Sequence, residues 1–272
     1  MSKGIHVIDP ASSLNIIADI AGRFDELMEL IPKMPPGLII LLGDLNDRGR
    51  QSKEVIEWAM KTPNVITLNS NHGDMFVDFV EGTGLYGSVD FLVNGGIQTL
   101  QSYGGFLVEE GGTPYGHPKI DVGATRTACL PFIDMSHIAW LKNLPYYYEQ
   151  DGLFVSHAPR NPTFPMERLC VRGPELNSIL WNRGNIRDIP GVFQVYGHNS
   201  SLQWHMGRGG DPIGVCIDDC RNKVLTGLHW PTKELFKVGY RELQSFPKRP
   251  SVDQSNNRTQ TEVKGSVPTP SA

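Results

Sequence analysis

The sequence predicts an α/β fold with mixed (α+β) character, and three observations support this class. Short apolar runs of β type recur along the chain, beginning with residues 14–18, 38–42 and 65–68. Helical patterns lie between these runs, which indicates two consecutive β-α-β units. After residue 153 the chain returns to short strands separated by turn residues, a pattern typical of the closing meander of a sheet.

Two helices are predicted to connect the first three strands. In each of them apolar residues recur at helical spacing, and Pro35 and Pro36 end the first helix before the second strand begins. Both helices should therefore present an apolar face to the sheet. The apolar positions are Phe24, Leu27, Met28, Leu30 and Ile31 in the first helix and Val55, Ile56, Trp58 and Ala59 in the second.

The stretch from about residue 74 to 150 has a different pattern. Helices are predicted at residues 75–80 and 134–144, and the Gly-Gly pairs at residues 95–96 and 104–105 interrupt the segment between them. We therefore expect about residues 74–150 to form a helical cap that is inserted into the main domain.

The length of 272 residues suits one main domain with an insertion better than two large domains. We place that domain at residues 1–246. The composition then changes to Pro, Ser, Thr, Asn and Gln with almost no bulky apolar residue, so residues 247–272 are expected to be a disordered tail.

Charge and composition exclude several classes of protein. The net charge of -4 gives no basic field, so a long nucleic acid is not an expected partner. The four cysteines lack zinc-site spacing and are interpreted as reduced core residues. The sequence has no apolar signal segment at its start and no apolar run of the roughly 18 residues that a membrane helix needs, so we expect a cytoplasmic protein without a membrane partner.

Five apolar runs are followed within three residues by a polar side chain that could bind a metal. Because the carboxyl ends of neighbouring strands meet in one crevice, these side chains are expected to converge. Oxygen and imidazole donors without thiolate suit Mn, Fe or Zn. The alternative is that each polar residue only closes a strand. The five residues are Asp19, Asp44, Asn71, His157 and His198.

These strand ends belong to longer motifs, of which Gly43-Asp44-Leu45-Asn46-Asp47-Arg48-Gly49 is the most specific. The others are Ala18-Asp19-Ile20-Ala21-Gly22, Ser70-Asn71-His72-Gly73, Phe154-Val155-Ser156-His157-Ala158 and Tyr196-Gly197-His198-Asn199. Together with Asn94-Gly95-Gly96 and Leu180-Trp181-Asn182-Arg183, this series resembles the calcineurin-like metallophosphoesterases, and within them the phosphoprotein phosphatase branch of bacterial and phage type. The resemblance spans about residues 13–240.

The resemblance implies a four-layer αββα sandwich, in which two mixed β-sheets are flanked by helices and the site lies at the carboxyl ends of the central strands. It also implies two divalent metal ions, with Mn expected first and Fe or Zn as alternatives. Asp44 would bridge the ions and Asp19 would bind the first. The second ion would be completed by Asn71, His157 and His198.

The resemblance further implies roles for four side chains that do not bind metal. His72 would face the leaving group while Asp47 orients it, since an imidazolium held by a carboxylate can protonate a departing alkoxide. Arg48 would bind two phosphoryl oxygens, because its planar guanidinium matches them. Arg183 is the candidate second clamp, and a surface salt bridge is the alternative for it.

The sequence departs from the family pattern at the first metal site. Ala21 stands where the family has a metal-binding histidine, and Gly73 stands where it usually has an acid. The first site is therefore expected to be weak or empty, unless a residue such as Asp74 compensates. His205 and His229 are expected to be ordinary polar residues.

The leading hypothesis is a metal-dependent phosphoesterase that hydrolyses phosphomonoesters by direct attack of a metal-bound hydroxide. Its substrates would be phosphoserine or phosphothreonine in proteins, or a small phosphoester. Dinucleoside polyphosphate hydrolysis and phosphodiester cleavage are alternatives on the same scaffold. A weakly active phosphate-binding protein with a degenerate first metal site is the alternative from another class.

Overall fold

A computed structural model describes residues 4–6, 13–112, 118–184 and 186–242. The described residues up to Arg241 belong to one compact unit. The predicted tail at residues 247–272 lies outside the described part of the chain, so its disorder stays a prediction.

Within the described residues, thirteen strands form a six-stranded sheet, a five-stranded sheet and a two-stranded hairpin. They are β1 (Gly4–His6), β2 (Leu14–Ile17), β3 (Leu38–Leu41), β4 (Val65–Thr67), β5 (Glu109–Gly112), β6 (Pro118–Ile120), β7 (Tyr147–Gln150), β8 (Leu153–Ser156), β9 (Phe193–Tyr196), β10 (Gln203–Met206), β11 (Pro212–Cys216), β12 (Val224–Trp230) and β13 (Glu234–Gly239). The strand orders are β1-β7-β8-β9-β11-β10 in the six-stranded sheet and β13-β12-β2-β3-β4 in the five-stranded sheet, and the hairpin consists of β5 and β6.

The described α-helices connect or cover these strands. They are α1 (Phe24–Leu30), α2 (Ser52–Lys61), α3 (Asn71–Glu81), α4 (Ser88–Phe91), α5 (Ile97–Ser102), α6 (Val122–Cys129), α7 (Met135–Lys142) and α8 (Met166–Leu169). Within the described ranges, no helix is both long and apolar enough to cross a membrane.

Parallel pairing in both sheets brings several strand ends to one edge. In the five-stranded sheet β2, β3 and β4 run parallel, and Leu41 lies opposite both Ile17 and Thr67. In the six-stranded sheet β8, β9 and β11 run parallel, and Tyr196 lies opposite both Ser156 and Cys216. The residues that follow these strands are thus level with one another, as the two predicted β-α-β units require.

The two large sheets pack face to face, and alternate residues of each strand enter different cores. Ile16 and Val155 belong to a buried cluster that both sheets supply. Ile17, the next residue on β2, packs instead with the helices outside the five-stranded sheet. Phe154 packs on the outer face of the six-stranded sheet with Leu169 of α8. The sequence prediction of two mixed sheets flanked by helices is therefore confirmed.

The predicted helices of the 74–150 segment are present with shifted ends. Helix α3 begins at Asn71, four residues before the predicted start at Met75, because the Ser70 hydroxyl caps it by accepting a hydrogen bond from the Gly73 N–H at 3.3 Å. Helices α3, α5 and α7 share one hydrophobic core with α1 and α2. The interpretation of about residues 74–150 as an inserted cap stays a prediction.

Candidate metal centre and active site

Asp44 lies at the centre of the crevice because the chain turns sharply after β3. Gly43 has a φ of 96° there, and a Cβ atom at this position would lie 2.4 Å from Cβ of Ser70. Only glycine fits this approach. The Ser70 hydroxyl then accepts a hydrogen bond from the Asp44 N–H at 2.8 Å, which holds the buried carboxylate in place.

Asp19, Asp44 and His157 form a buried group of metal-binding atoms. One ligand atom from each lies within 4.8 Å of the other two. His157 Nδ1 donates to the Leu42 carbonyl at 2.9 Å, so Nε2 faces the crevice. This Nε2 lies 2.7 Å from Oδ1 of Asn71 and 3.4 Å from Oδ1 of Asp44. A cation would stabilise such a set of converging acceptors.

His198 completes this donor set from the end of β9. Its ring centre lies 5.0 Å from that of His157. Its buried Nε2 has no hydrogen-bond partner among the described residues, although buried polar atoms nearly always have one. Burial lowers the pKa of both histidines, and for His198 the neighbouring His157 and Arg183 lower it further. Neutral imidazoles are the form that binds metal, so these residues fit a divalent ion.

The carboxylate of Asp19 lies close to other negative charges. Burial, followed by the charges of Asp218 and Asp44, raises the pKa of Asp19 well above its ordinary value. Asp218 was missed by the sequence analysis, although it follows an apolar strand as the five chosen residues do. The sequence feature that could have identified Asp218 is its position after the apolar run of β11. That strand belongs to the predicted closing meander.

His72 and Asp47 form a buried pair beside Asp44. His72 Nδ1 lies 2.5 Å from Oδ2 of Asp47, and His72 Nε2 lies 3.8 Å from Oδ2 of Asp44. Thr99 donates to Oδ1 of Asp47 at 2.6 Å and so fixes the carboxylate. Burial disfavours the charged ring, but the Asp44 charge and the bond to Asp47 raise the pKa of His72 above its ordinary value.

The two predicted phosphate-binding arginines contact different histidines of the crevice. Arg48 Nη2 lies 3.2 Å from Nε2 of His72. Arg183 is exposed, and its Nη1 donates to the His198 carbonyl at 2.9 Å. The ring of Trp181 lies edge-on to His198, with 6.1 Å between the ring centres. All nine predicted site residues thus lie in or beside one crevice, and their roles stay predictions.

The candidates for replacing the missing histidine are engaged elsewhere. Asp74 accepts hydrogen bonds from the Tyr86 hydroxyl at 2.7 Å, from the Gly173 N–H at 2.9 Å and from Arg172 Nε. His205 lies 2.6 Å from the Tyr196 hydroxyl, and His229 contacts Ser13 and Thr232. Both carboxylate oxygens of Asp74 thus serve to anchor the loop at Gly173.

Comparisons with known proteins agree with this architecture. The model of the calcineurin-like phosphoesterase family matches residues 13–199. A crystal structure of a candidate diadenosine tetraphosphatase is similar, with a TM-score of 0.57, 14% identity, and coverage of 89% of this chain and 100% of that one. The cold-active protein-tyrosine phosphatase of a psychrophilic Shewanella species has a TM-score of 0.51, 16% identity, and coverage of 84% and 77% respectively.

At such low identities the two solved structures show a shared fold and nothing more. No curated protein sequence matches this chain. The family match carries the assignment, because it covers well over half of the chain and includes all nine predicted site residues. We conclude that the chain belongs to the calcineurin-like phosphoesterase family and is a phosphoric ester hydrolase.

Proposed function

We propose that this chain hydrolyses phosphomonoesters with the help of two divalent metal ions, of which manganese is the expected kind. Phosphoserine and phosphothreonine in proteins, or small phosphoesters, are the proposed substrates. The observation that carries the proposal is the buried donor set of Asp44, Asn71, His157 and His198, in which Nε2 of His198 has no partner within the described residues. Without a cation, the acceptor atoms of this set would face one another with no hydrogen between them, which is unfavourable in a buried site.

Residues of both sheets would hold the ions. Asp19 and Asp44 would hold the first, and Asp44 with Asn71, His157 and His198 would hold the second. When bound, divalent cations supply positive charge to the phosphoryl oxygens and activate water for hydrolysis. The protein fixes the donors beforehand, as the bond from His157 Nδ1 to the Leu42 carbonyl illustrates.

The His72 and Asp47 pair is proposed to deliver a proton to the leaving oxygen. Asp47 engages Nδ1, so Nε2 is the atom that faces the crevice. In the described structure Arg48 Nη2 points at this atom from 3.2 Å. A phosphoryl group that draws the guanidinium onto its own oxygens would free Nε2 to donate. The raised pKa of His72 favours the protonated form that this role requires.

A direct test compares three substrates in parallel on the metal-loaded full chain: a phosphomonoester such as a phosphoserine peptide, a bis-phosphodiester, and a dinucleoside tetraphosphate. The proposal requires the highest kcat/KM on the monoester. A preference for either of the other two would assign the alternative activity on the same scaffold. A chain that purifies without metal and turns over none of the three would instead be a phosphate-binding protein.

Arg48→Lys should raise KM and lower kcat for the preferred substrate. The lysine keeps the charge but replaces a planar fork with a point charge, which cannot bind two phosphoryl oxygens at once. Steady-state kinetics measure the effect, with Arg50→Lys as a matched control on the next arginine of the same loop. Kinetics unchanged by Arg48→Lys would remove Arg48 from the site.

A further inference from the structure

Asp74 is a buried carboxylate that the roles proposed above do not use, and it holds one end of a loop beside the crevice. Only 2% of its surface is exposed. Its Oδ2 accepts the Gly173 N–H at 2.9 Å, and its Oδ1 accepts Nε of Arg172. Hydrogen bonds to an ionised group are shorter and stronger than those between neutral groups. These contacts therefore fix the beginning of the loop formed by residues 172–183.

Tyr86 connects the same carboxylate to the other end of this loop. Its hydroxyl donates to Oδ2 of Asp74 at 2.7 Å and accepts Nε1–H of Trp181 at 3.2 Å. The Tyr86 side chain is buried, and its ring centre lies 5.8 Å from that of Trp181. One carboxylate thus holds the 172–183 loop at both ends, directly at Gly173 and through Tyr86 at Trp181.

The end of the loop that Tyr86 holds reaches the crevice. The Trp181 ring is edge-on to the ring of His198, and Nη1 of Arg183 donates to the His198 carbonyl at 2.9 Å. Between them, Nδ2 of Asn182 donates to the Pro159 carbonyl at 2.8 Å. Arg183 is exposed, and a long exposed side chain has many rotamers unless contacts restrict it. The position of its guanidinium therefore depends on where Trp181 and Asn182 fix the backbone.

We propose that Tyr86 is a positioning residue for hydrolysis: its hydroxyl holds Trp181 and thereby places Arg183 where the guanidinium can bind phosphoryl oxygens. This inference rests on the proposed function and on the predicted role of Arg183 as the second phosphate clamp. The hydroxyl of Tyr86 bonds to Asp74 and Trp181, so we expect its effect on hydrolysis to pass through the loop and Arg183.

Tyr86→Phe tests the proposal because it removes the hydroxyl and keeps the ring. The substrate is whichever of the three compounds named above the unaltered, metal-loaded chain hydrolyses fastest. We expect kcat/KM to fall by about 10-fold, less than the roughly 10²-fold that a displacement of about 1 Å in an active site can cost. Competitive inhibition by inorganic phosphate should weaken by a similar factor, because Arg183 would bind the oxygens of both ligands. Unchanged kcat/KM and unchanged inhibition would overturn the proposal.

A double-mutant cycle shows whether the effect passes through Arg183. Arg183→Ala removes the guanidinium, so adding Tyr86→Phe to it should change kcat/KM by less than about 2-fold, the usual scatter of such cycles. A residue that only stabilises the fold would not show this dependence on Arg183. A further loss in the double variant as large as that in Tyr86→Phe alone would mean that the two side chains act independently, and it would overturn the proposal.

Trp181→Phe breaks the same hydrogen bond from its other side, so the test does not depend on the stability of Tyr86→Phe. This variant lacks the indole N–H but leaves the Tyr86 hydroxyl on Asp74. It should weaken kcat/KM and phosphate inhibition in the same direction, and it should add little to Arg183→Ala. Kinetics like those of the unaltered chain would overturn the proposal. Loss of bound metal in either variant would show that Trp181 supports His198 instead of Arg183, and would also overturn it.

Tyr103→Phe is the matched control for these variants. Tyr103 is as buried as Tyr86, and its hydroxyl lies 2.8 Å from Nδ1 of His137 on α7. The control should leave kcat/KM and inhibition by phosphate unchanged. Equal losses in Tyr103→Phe and Tyr86→Phe would indicate a general loosening of the fold and overturn the proposal. If the unaltered chain hydrolyses none of the three compounds, the proposed function fails instead, and the two failures are thereby distinguished.

Discussion

Asp44→Asn should abolish hydrolysis while leaving the fold largely intact. Asp44 is the donor shared by both predicted metal positions, and an amide oxygen is a much weaker ligand than a carboxylate. Burial opposes the charge of Asp44, but His72, His157 and His198 together with Arg48 lower its pKa below the ordinary value. The protein thus keeps this group ionised, which is the form that the substitution removes.

The fold should survive because asparagine has nearly the same shape and keeps the backbone bond from Asp44 to Ser70. Turnover, bound metal and thermal unfolding are the three measurements. Asp219→Asn is a control that should retain activity, because Asp219 is also buried but contacts Asn222 and Lys237. Near-normal turnover in Asp44→Asn would contradict the proposed metal-dependent reaction.

His72→Ala should lower turnover by about 10²–10⁴-fold, the range typical of lost general acid–base catalysis. The loss should fall mainly on substrates with poor leaving groups, since an alkoxide needs a proton as it departs. An activated aryl phosphate releases a stable phenolate, so its hydrolysis should depend far less on His72. Steady-state kinetics on an alkyl and an aryl phosphate measure this difference.

His205→Ala provides the matched control for this substitution. His205 lies outside the crevice and contacts the Tyr196 hydroxyl, so its removal should leave turnover of both substrates unchanged. An equal loss on the alkyl and aryl phosphates in His72→Ala would indicate that His72 acts by supporting Asp47 and Arg48. The proposed proton transfer would then be wrong.

Local patterns were sufficient to predict the central fold. The runs at β2, β3 and β4 are short, apolar and separated by amphipathic helices, and these features depend only on neighbouring residues. The same local signal, a polar residue at the end of an apolar run, identified Asp19, Asp44 and Asn71. Because parallel strands end at the same edge of a sheet, the β-α-β connections alone predicted that these three side chains converge.

Asp218 escaped prediction for a topological reason. In the chain β10 lies between β9 and β11, yet in the sheet β11 lies beside β9 and β10 occupies the edge. Nothing in the local sequence specifies this exchange of order. Only the observed pairing of Cys216 with Tyr196 shows that Asp218 emerges next to His198. Likewise, Asp74 and Gly173 lie nearly 100 positions apart in the chain, so their hydrogen bond cannot be predicted from the local sequence.

The side chains proposed to bind metal come from both sheets: Asp19, Asp44 and Asn71 follow strands of one, and His157 and His198 follow strands of the other. An ion held by Asp44, Asn71, His157 and His198 would join the two halves of the sandwich at the edge where the shared core ends. By thermodynamic linkage, an ion at 100 times its dissociation constant adds about 2.7 kcal/mol to the free energy of unfolding. Metal supply would therefore govern the lifetime of the folded chain as well as its chemistry, and metal-starved protein would be the more readily degraded form.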